Sequence, residues 1–151
     1  MAIGEKMPRW VDDGTQEYQK RMPPEMRVQF EDVPAGKRAR ATVAQCINEE
    51  AAAIRKRLNK YSGAHIVALE VKGKRLGTEQ LAEKLGACKD MGQDMVMLVG
   101  GPDGLCPELS ASAHERWSLS ALTLPHPLVR VVMAEQLYRG WTLLSGHPYH
   151  R

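Results

Sequence analysis

The sequence predicts an α/β fold, a mostly parallel sheet flanked by helices, and three observations lead there. Two short apolar runs, "HIVALEV" (65–71) and "DMVMLVGG" (94–101), have the pattern of strands buried on both faces. Between them, "GTEQLAEKLGACKDM" (77–91) sets Leu81 and Leu85 four apart on one helix face, with Thr78 as a candidate cap. Strand, helix, strand is the crossover unit of a parallel sheet, expected to be right-handed. The 151 residues alternate such patterns without an internal repeat, a low-complexity tract or a dividing linker. One domain over 1–151 is therefore expected.

The remaining elements follow in order. "MPRWVDDGTQEYQKRMP" (7–23) reads as a helix between proline boundaries, and "RVQFEDVP" (27–34) alternates like an exposed strand. In "RATVAQCINEEAAAIRKRLNKY" (40–61), Val43, Ile47, Ala51, Ile54 and Leu58 recur at three- and four-residue spacing, a strong helix. Arg55, Lys56, Arg57 and Lys60 crowd its end, where they complement the helix dipole or, on a sharper reading, face RNA. "LVGGPDG" (98–104) ends a buried strand in a glycine-rich turn, the place where α/β sheets bind ligands. It matches neither GxGxxG nor GxxxxGK[ST], so a tight turn accounts for it equally well. "WSLSALTLPHP" (117–127) is too irregular for a helix and too polar for a buried strand. A loop of that kind can wrap an apolar ligand and offer backbone polar groups to it.

The last helix opens on Pro125 and Pro127 and runs through "LVRVVMAEQLYRGWTLLSG" (128–146) to a glycine stop. Val129, Met133, Leu137, Trp141 and Leu144 form an apolar stripe, and Val131 and Tyr138 widen it. A helix apolar over more than one face serves a core and a partner together, which points to a homodimer. Glu135 and Arg139 stand four apart in the favourable acid-before-base order. Beyond the helix lies "SGHPYHR" (145–151). A terminus normally frays, so a solvated tail or a tag remnant accounts for it as well as a built segment does, although neither needs a tyrosine or two histidines.

Composition sets the outer limits. Hydrophobic residues make up 43% and charged residues 26%, a globular composition. No apolar run reaches the roughly 20 residues needed to span a bilayer, and "MAIGEKMPRW" lacks the features of a signal peptide. Cys46, Cys88 and Cys106 form no CxxC pair, and buried or idle thiols in a reducing cytoplasm are expected. No metal site, Ser-His-Asp order or HExxH motif can be read out. His65 before a strand and His114 on a helix are expected to be structural. A formal net charge of +3 is mildly basic, compatible with nucleic acid without demanding it.

At this point the residues become recognisable. "LVGGPDGL", "WSLSALTLPHPLVRVVMAEQLYRGW" and "HPYHR" closely resemble the ribosomal RNA large-subunit methyltransferase H family of the SPOUT superfamily, and "KMPRWV" and "PAGKRA" do so as well. The resemblance covers almost the whole chain and is strongest from about residue 94 onward. It implies a SPOUT-type fold with a C-terminal trefoil knot, an exception to the rule that chains are unknotted. It implies S-adenosylmethionine as cofactor, a cytoplasmic homodimer, and methylation of ring nitrogen 3 of a pseudouridine in large-subunit ribosomal RNA. Carried over by motif, the cofactor residues are Leu69, Glu70, Gly100, Gly101, Ser120, Ala121, Leu122, Thr123, Leu124 and Pro125. The active-site residues are Glu135, Arg139, Tyr149, His150 and Arg151. Arg139 and Arg151 are expected to hold a phosphate or a base carbonyl, Tyr149 to stack on or hydrogen-bond the base, and His150 or Glu135 to assist proton removal. The tail would then be completed by the partner's cofactor loop. The family's first strand is longer than the Met1 and Ala2 that precede "IGEKMP" here. Doubling +3 gives a dimer of +6, modest enough to suit an assembled ribosome recognised by shape. Two alternatives stand beside this reading: a SPOUT enzyme acting on transfer RNA, and a non-catalytic ribosome-associated RNA-binding module.

Overall fold

The computed structural model describes every residue except Glu5, Arg38, Arg40 and Arg151, and the side chain of His150. Its contacts gather into two compact units, a sheet unit and a helical unit.

The sheet unit comprises Met1–Lys6, Phe30–Arg75 and Asp94–Thr123. Its strands are β1 (Ala2–Ile3), β2 (Asp32–Val33), β3 (His65–Arg75), β4 (Met95–Val99) and β5 (Glu115–Ser118), ordered β2-β1-β4-β3-β5 with every neighbouring pair parallel. Two helices belong to this unit, α2 (Val43–Leu58) and α4 (Pro107–Ser112). Ile3, Val33, Val96 and Leu98 from the strands pack with Ala51 and Ile54 of α2 and Leu109 of α4 into one core. The apolar runs at 65–71 and 94–101 are thus strands, as their composition predicts, and they pair in register from His65↔Met95 to Leu69↔Val99. The helix expected over 40–61 spans Val43–Leu58. Thr42 caps it reciprocally with Gln45: the Gln45 N–H donates to Thr42 Oγ1 at 3.2 Å, and the Thr42 N–H donates to Gln45 Oε1 at 2.8 Å. Arg55, Lys56 and Arg57 fill its last turn, where cations suit the dipole.

Other expectations shift. The segment 27–34 forms a strand only at Asp32–Val33, at the edge of the sheet, and Val33 is fully buried rather than exposed. The loop "WSLSALTLPHP" begins as β5: Trp117 and Ser118 are strand residues and both are buried. His114 lies outside α4, just ahead of β5, where its Nδ1 accepts from the Ile66 N–H at 2.9 Å. All three cysteines are buried thiols outside any disulfide.

The helical unit comprises Met7–Gln29, Leu76–Gln93 and the chain from Leu124 onward. It is built on α1 (Arg9–Gln19), α3 (Thr78–Asp90) and α5 (His126–Leu144), with α1 and α3 both packed on α5. Thr78 is the first residue of α3 rather than its cap. Gly77 caps instead, its N–H donating to Gln80 Oε1 at 3.0 Å, and the Thr78 hydroxyl donates to Gln136 of α5 at 3.1 Å. Helix α5 buries more than one face, as its sequence foretells, but not along the expected stripe. Met133 and Tyr138 are buried, whereas Val129, Leu137 and Trp141 are half-buried and Leu144 is exposed. Serving two neighbouring helices spreads the buried positions around α5. Ser145 ends it and Gly146 follows at φ +70°, a turn that glycine adopts without strain.

Candidate active site

Each unit holds one group of the residues singled out in the sequence. In the sheet unit, register decides what comes together. Leu69 of β3 lies opposite Val99 of β4 on one side and Trp117 of β5 on the other. Strands β4 and β5 therefore end beside Leu69 and Glu70 of β3, which itself runs on to Arg75, with Gly100 and Gly101 on one side and the segment from Ser118 to Thr123 on the other. The glycine turn is closed by an N–H···O bond from Gly104 to Gly101 at 3.0 Å. A Cβ on Gly100 would stand 2.4 Å from the carbonyl carbon of Gly104, so only glycine fits. The Glu70 carboxylate accepts from Ser110 Oγ at 2.7 Å and faces Arg116 at 3.8 Å. The Ser118 hydroxyl donates to the Ser120 carbonyl, and Ser120 Oγ accepts from the Leu122 N–H, both at 2.9 Å, which folds the loop while leaving Leu122 73% exposed. Leu124 and Pro125 begin the last segment of the helical unit, Pro125 as the cap of α5.

This donor set can be tested against S-adenosylmethionine. The group has an apolar adenine face, ribose hydroxyls and a cationic sulfonium. The site offers exposed leucine, backbone at closely spaced glycines and one carboxylate, the mix expected of a cofactor pocket. The residues fit the group.

In the helical unit, Glu135 and Arg139 pair on one face of α5: Arg139 donates through Nε at 2.8 Å and Nη2 at 2.6 Å, both to Glu135 Oε1. Gln136 donates to the second carboxylate oxygen at 2.6 Å. Residues Pro148–His150 turn back as a short 3-10 helix, so that the Tyr149 hydroxyl donates to Glu135 at 3.3 Å and the Arg139 guanidinium lies 5.0 Å from the Tyr149 ring centre. The tail is thus tied down at Tyr149. Of the expected active-site set, Glu135, Arg139 and Tyr149 meet, whereas Arg151 and the His150 side chain lie outside the described residues.

Sequence reasoning missed three members of this cluster. Tyr138 packs edge-on against Tyr149, ring centres 4.7 Å apart. Tyr18 of α1 is 6.1 Å from Tyr138, and the Arg21 guanidinium sits 5.6 and 5.8 Å from the Tyr18 and Tyr138 rings, with an ion pair to Glu17. Tyr18 and Arg21 lie more than 110 residues from Tyr138 and Tyr149, and no local pattern marks them as members of that cluster. Burial pushes the Tyr149 phenol up to about 12, assisted by its hydrogen bond with Tyr18 and by the negative charge of Glu135. At neutral pH Tyr149 is therefore a donor and not a base. The raised value means the folded protein keeps a proton that the unfolded chain releases. This contribution to stability is complete below pH 10 and is lost as pH rises toward 12. Alkaline titration of phenolate absorbance should show a step near pH 12 that disappears in Tyr149→Phe; an unchanged titration curve would refute the assignment.

Ligand binding beyond the carboxyl ends of parallel strands is the habit of open α/β proteins, and the sheet unit falls in that class. Residues 1–150 match the family described as predicted SPOUT methyltransferase, and the chain belongs to that family. It is a methyltransferase. The chain is 65% identical to Ribosomal RNA large subunit methyltransferase H of Alcanivorax borkumensis and 50% identical to the protein of the same name from Stutzerimonas stutzeri. Each alignment covers 100% of this chain and 97% of the relative. Among solved structures, a putative methylase family protein from Neisseria gonorrhoeae aligns with a TM-score of 0.54 at 9% identity, over 91% of this chain and 79% of that one. At such identity the likeness concerns the fold alone. Among the described residues no helix is long and apolar enough to cross a membrane, and no group of three or more His, Cys, Asp and Glu is arranged to hold a metal.

Proposed function

We propose that this protein is a cytoplasmic, homodimeric methyltransferase, a single domain over 1–151 that uses S-adenosylmethionine to methylate ring nitrogen 3 of a pseudouridine in large-subunit ribosomal RNA, on the assembled ribosome. The observation that carries the reading is full-length identity of 65% to a protein named for large-subunit ribosomal RNA methylation. Leu69, Glu70, Gly100, Gly101 and residues 120–125 would hold the cofactor, which supplies a sulfonium-bound methyl group when present. The chain's own residues handle the base. Ring nitrogen 3 lies between two carbonyls and carries a weakly acidic proton, which must leave as the nitrogen–methyl bond forms. Arg139, oriented by Glu135, donates to a flanking carbonyl and stabilises the negative charge that develops there. Tyr149 presents its protonated hydroxyl and its ring to the base. Glu135 already accepts from Arg139, Gln136 and Tyr149, so His150 is assigned to remove the proton. Arg151 contacts phosphate. Exposed Leu128 and Leu144 on α5 and Trp10 on α1 support a dimer surface.

The test is methyl transfer from labelled S-adenosylmethionine to intact ribosomes, separated subunits and transfer RNA, with the product nucleoside identified by mass spectrometry. Label in N3-methylpseudouridine from ribosomes is expected. Label confined to transfer RNA would sink the reading, and failure to bind the cofactor in calorimetry would favour a non-catalytic module.

A further inference from the structure

Beside the glycine turn, β3 departs from a regular ladder. Strand β3 pairs with β5 as far as Leu69↔Trp117, then resumes at Lys74↔Trp117 and Arg75↔Ser118. A single residue of β5 thus faces two positions of β3, and Glu70, Val71, Lys72 and Gly73 bulge out of the ladder between them. The bulge is fixed by packing. A Cβ on Gly73 would stand 2.5 Å from the Trp117 carbonyl carbon and 2.7 Å from its nitrogen, so glycine alone lets the two backbones meet. Bulges of this kind re-aim side chains. Here Val71 is 53% exposed, and Lys72, Lys74 and Arg75 are exposed with it.

The segment "EVKGKR" (70–75) carries three cations and one acid. That acid is engaged elsewhere, since Glu70 accepts from Ser110 and faces Arg116. Lys72, Lys74 and Arg75 make no side-chain ion pair among the described residues. A net charge of +3 spreads little positive potential over the whole protein, so three cations within four residues form a local concentration of it. They begin two residues beyond Glu70, on the part of β3 that runs past the end of β4.

We propose that the bulged arm of β3 is a docking surface for the phosphate backbone of the substrate RNA, with Lys72, Lys74 and Arg75 as the contacting groups. This rests on the RNA methyltransferase reading above and adds the part of the chain that holds the nucleic acid. The cations meet phosphates, and the exposed Val71 gives an apolar contact to a sugar. Contacts of this kind position the substrate and carry no sequence information. Each phosphate neutralised releases counterions, so binding weakens with salt by a slope of about 0.7 to 0.9 per contact.

The experiment uses the full-length protein with Lys72, Lys74 and Arg75 all replaced by Gln, beside a second variant, Lys72→Arg/Lys74→Arg, that keeps the charge. Methylation of the ribosomal substrate and of its protein-free RNA is followed across a salt series. The expected result for the glutamine variant is a KM raised about tenfold or more at moderate salt, with the slope of log KM against log salt reduced by about 2 to 3. Its kcat at saturation and its affinity for S-adenosylmethionine should stay as in the unsubstituted protein, and the arginine variant should behave like the latter. An unchanged KM and salt slope overturn the proposal, as does loss of cofactor affinity, which would make the arm part of the cofactor pocket. A raised KM on ribosomes alone, with none on protein-free RNA, overturns it in favour of a ribosomal protein partner. An unsubstituted protein that methylates no RNA overturns the enzymatic reading itself and this inference with it.

Discussion

Gly100→Ala is expected to weaken S-adenosylmethionine binding by about a hundredfold or more and to lower stability as well. The added methyl group would lie 2.4 Å from the Gly104 carbonyl carbon, 2.6 Å from the Leu105 nitrogen and 2.7 Å from the Gly104 oxygen. All three are backbone atoms and cannot rotate away, so the turn itself must open. Overpacking a rigid site costs about 1–3 kcal/mol. The displaced turn follows the carboxyl end of β4, beside Leu69 of β3, where the cofactor is proposed to bind. Gly104→Ala is the control. Its φ of +82° imposes strain of about 1–2 kcal/mol, yet nothing lies within 4 Å of the added carbon. Gly104→Ala should lose stability while keeping cofactor affinity within a fewfold. Calorimetric titration with thermal unfolding separates the two variants, and cofactor binding by Gly100→Ala at the unsubstituted affinity would remove the glycine turn from the pocket.

Glu135→Ala should lower kcat by about 10²–10³ with cofactor affinity unchanged, the scale on which loss of an oriented charge-stabilising donor acts. The substitution removes the acceptor shared by Arg139, Gln136 and Tyr149. Arg139 would then sample solvent-exposed rotamers, and Tyr149 would lose a bond that seats the tail. Glu135→Gln keeps an acceptor oxygen but not the charge, so a smaller loss of about tenfold is expected. Single-turnover rates at saturating cofactor measure this directly. A Glu135→Ala rate equal to that of the unsubstituted protein would exclude the carboxylate from any part in orienting the site. Reduced cofactor affinity would instead assign Glu135 to the cofactor pocket.

The sequence by itself determined the elements whose signal is local. The apolar runs of β3 and β4, the periodic face of α2 and the glycine stop of α5 each depend on residues within a few positions of one another. So does the Glu135–Arg139 pair, because four residues bring two side chains to one helix face. The tertiary structure alone decided the rest. Strands β1 and β2 have two residues each, too short for any period to register, and only pairing with β4 and with each other makes them strands. Trp117 and Ser118 read as polar irregularity until β3 lies alongside. The bulge at Gly73 exists because Trp117 faces both Leu69 and Lys74. Tyr18 and Arg21 join Tyr138 and Tyr149 only through the packing of α1 on α5. The tail "SGHPYHR" shows both sides: its composition left a frayed tail and a built one equally open, while the contact that holds Tyr149 came from the folded chain. Local propensity acts over a turn or a few strand residues, whereas contacts across a hundred residues depend on where the chain returns, which no short window of sequence contains.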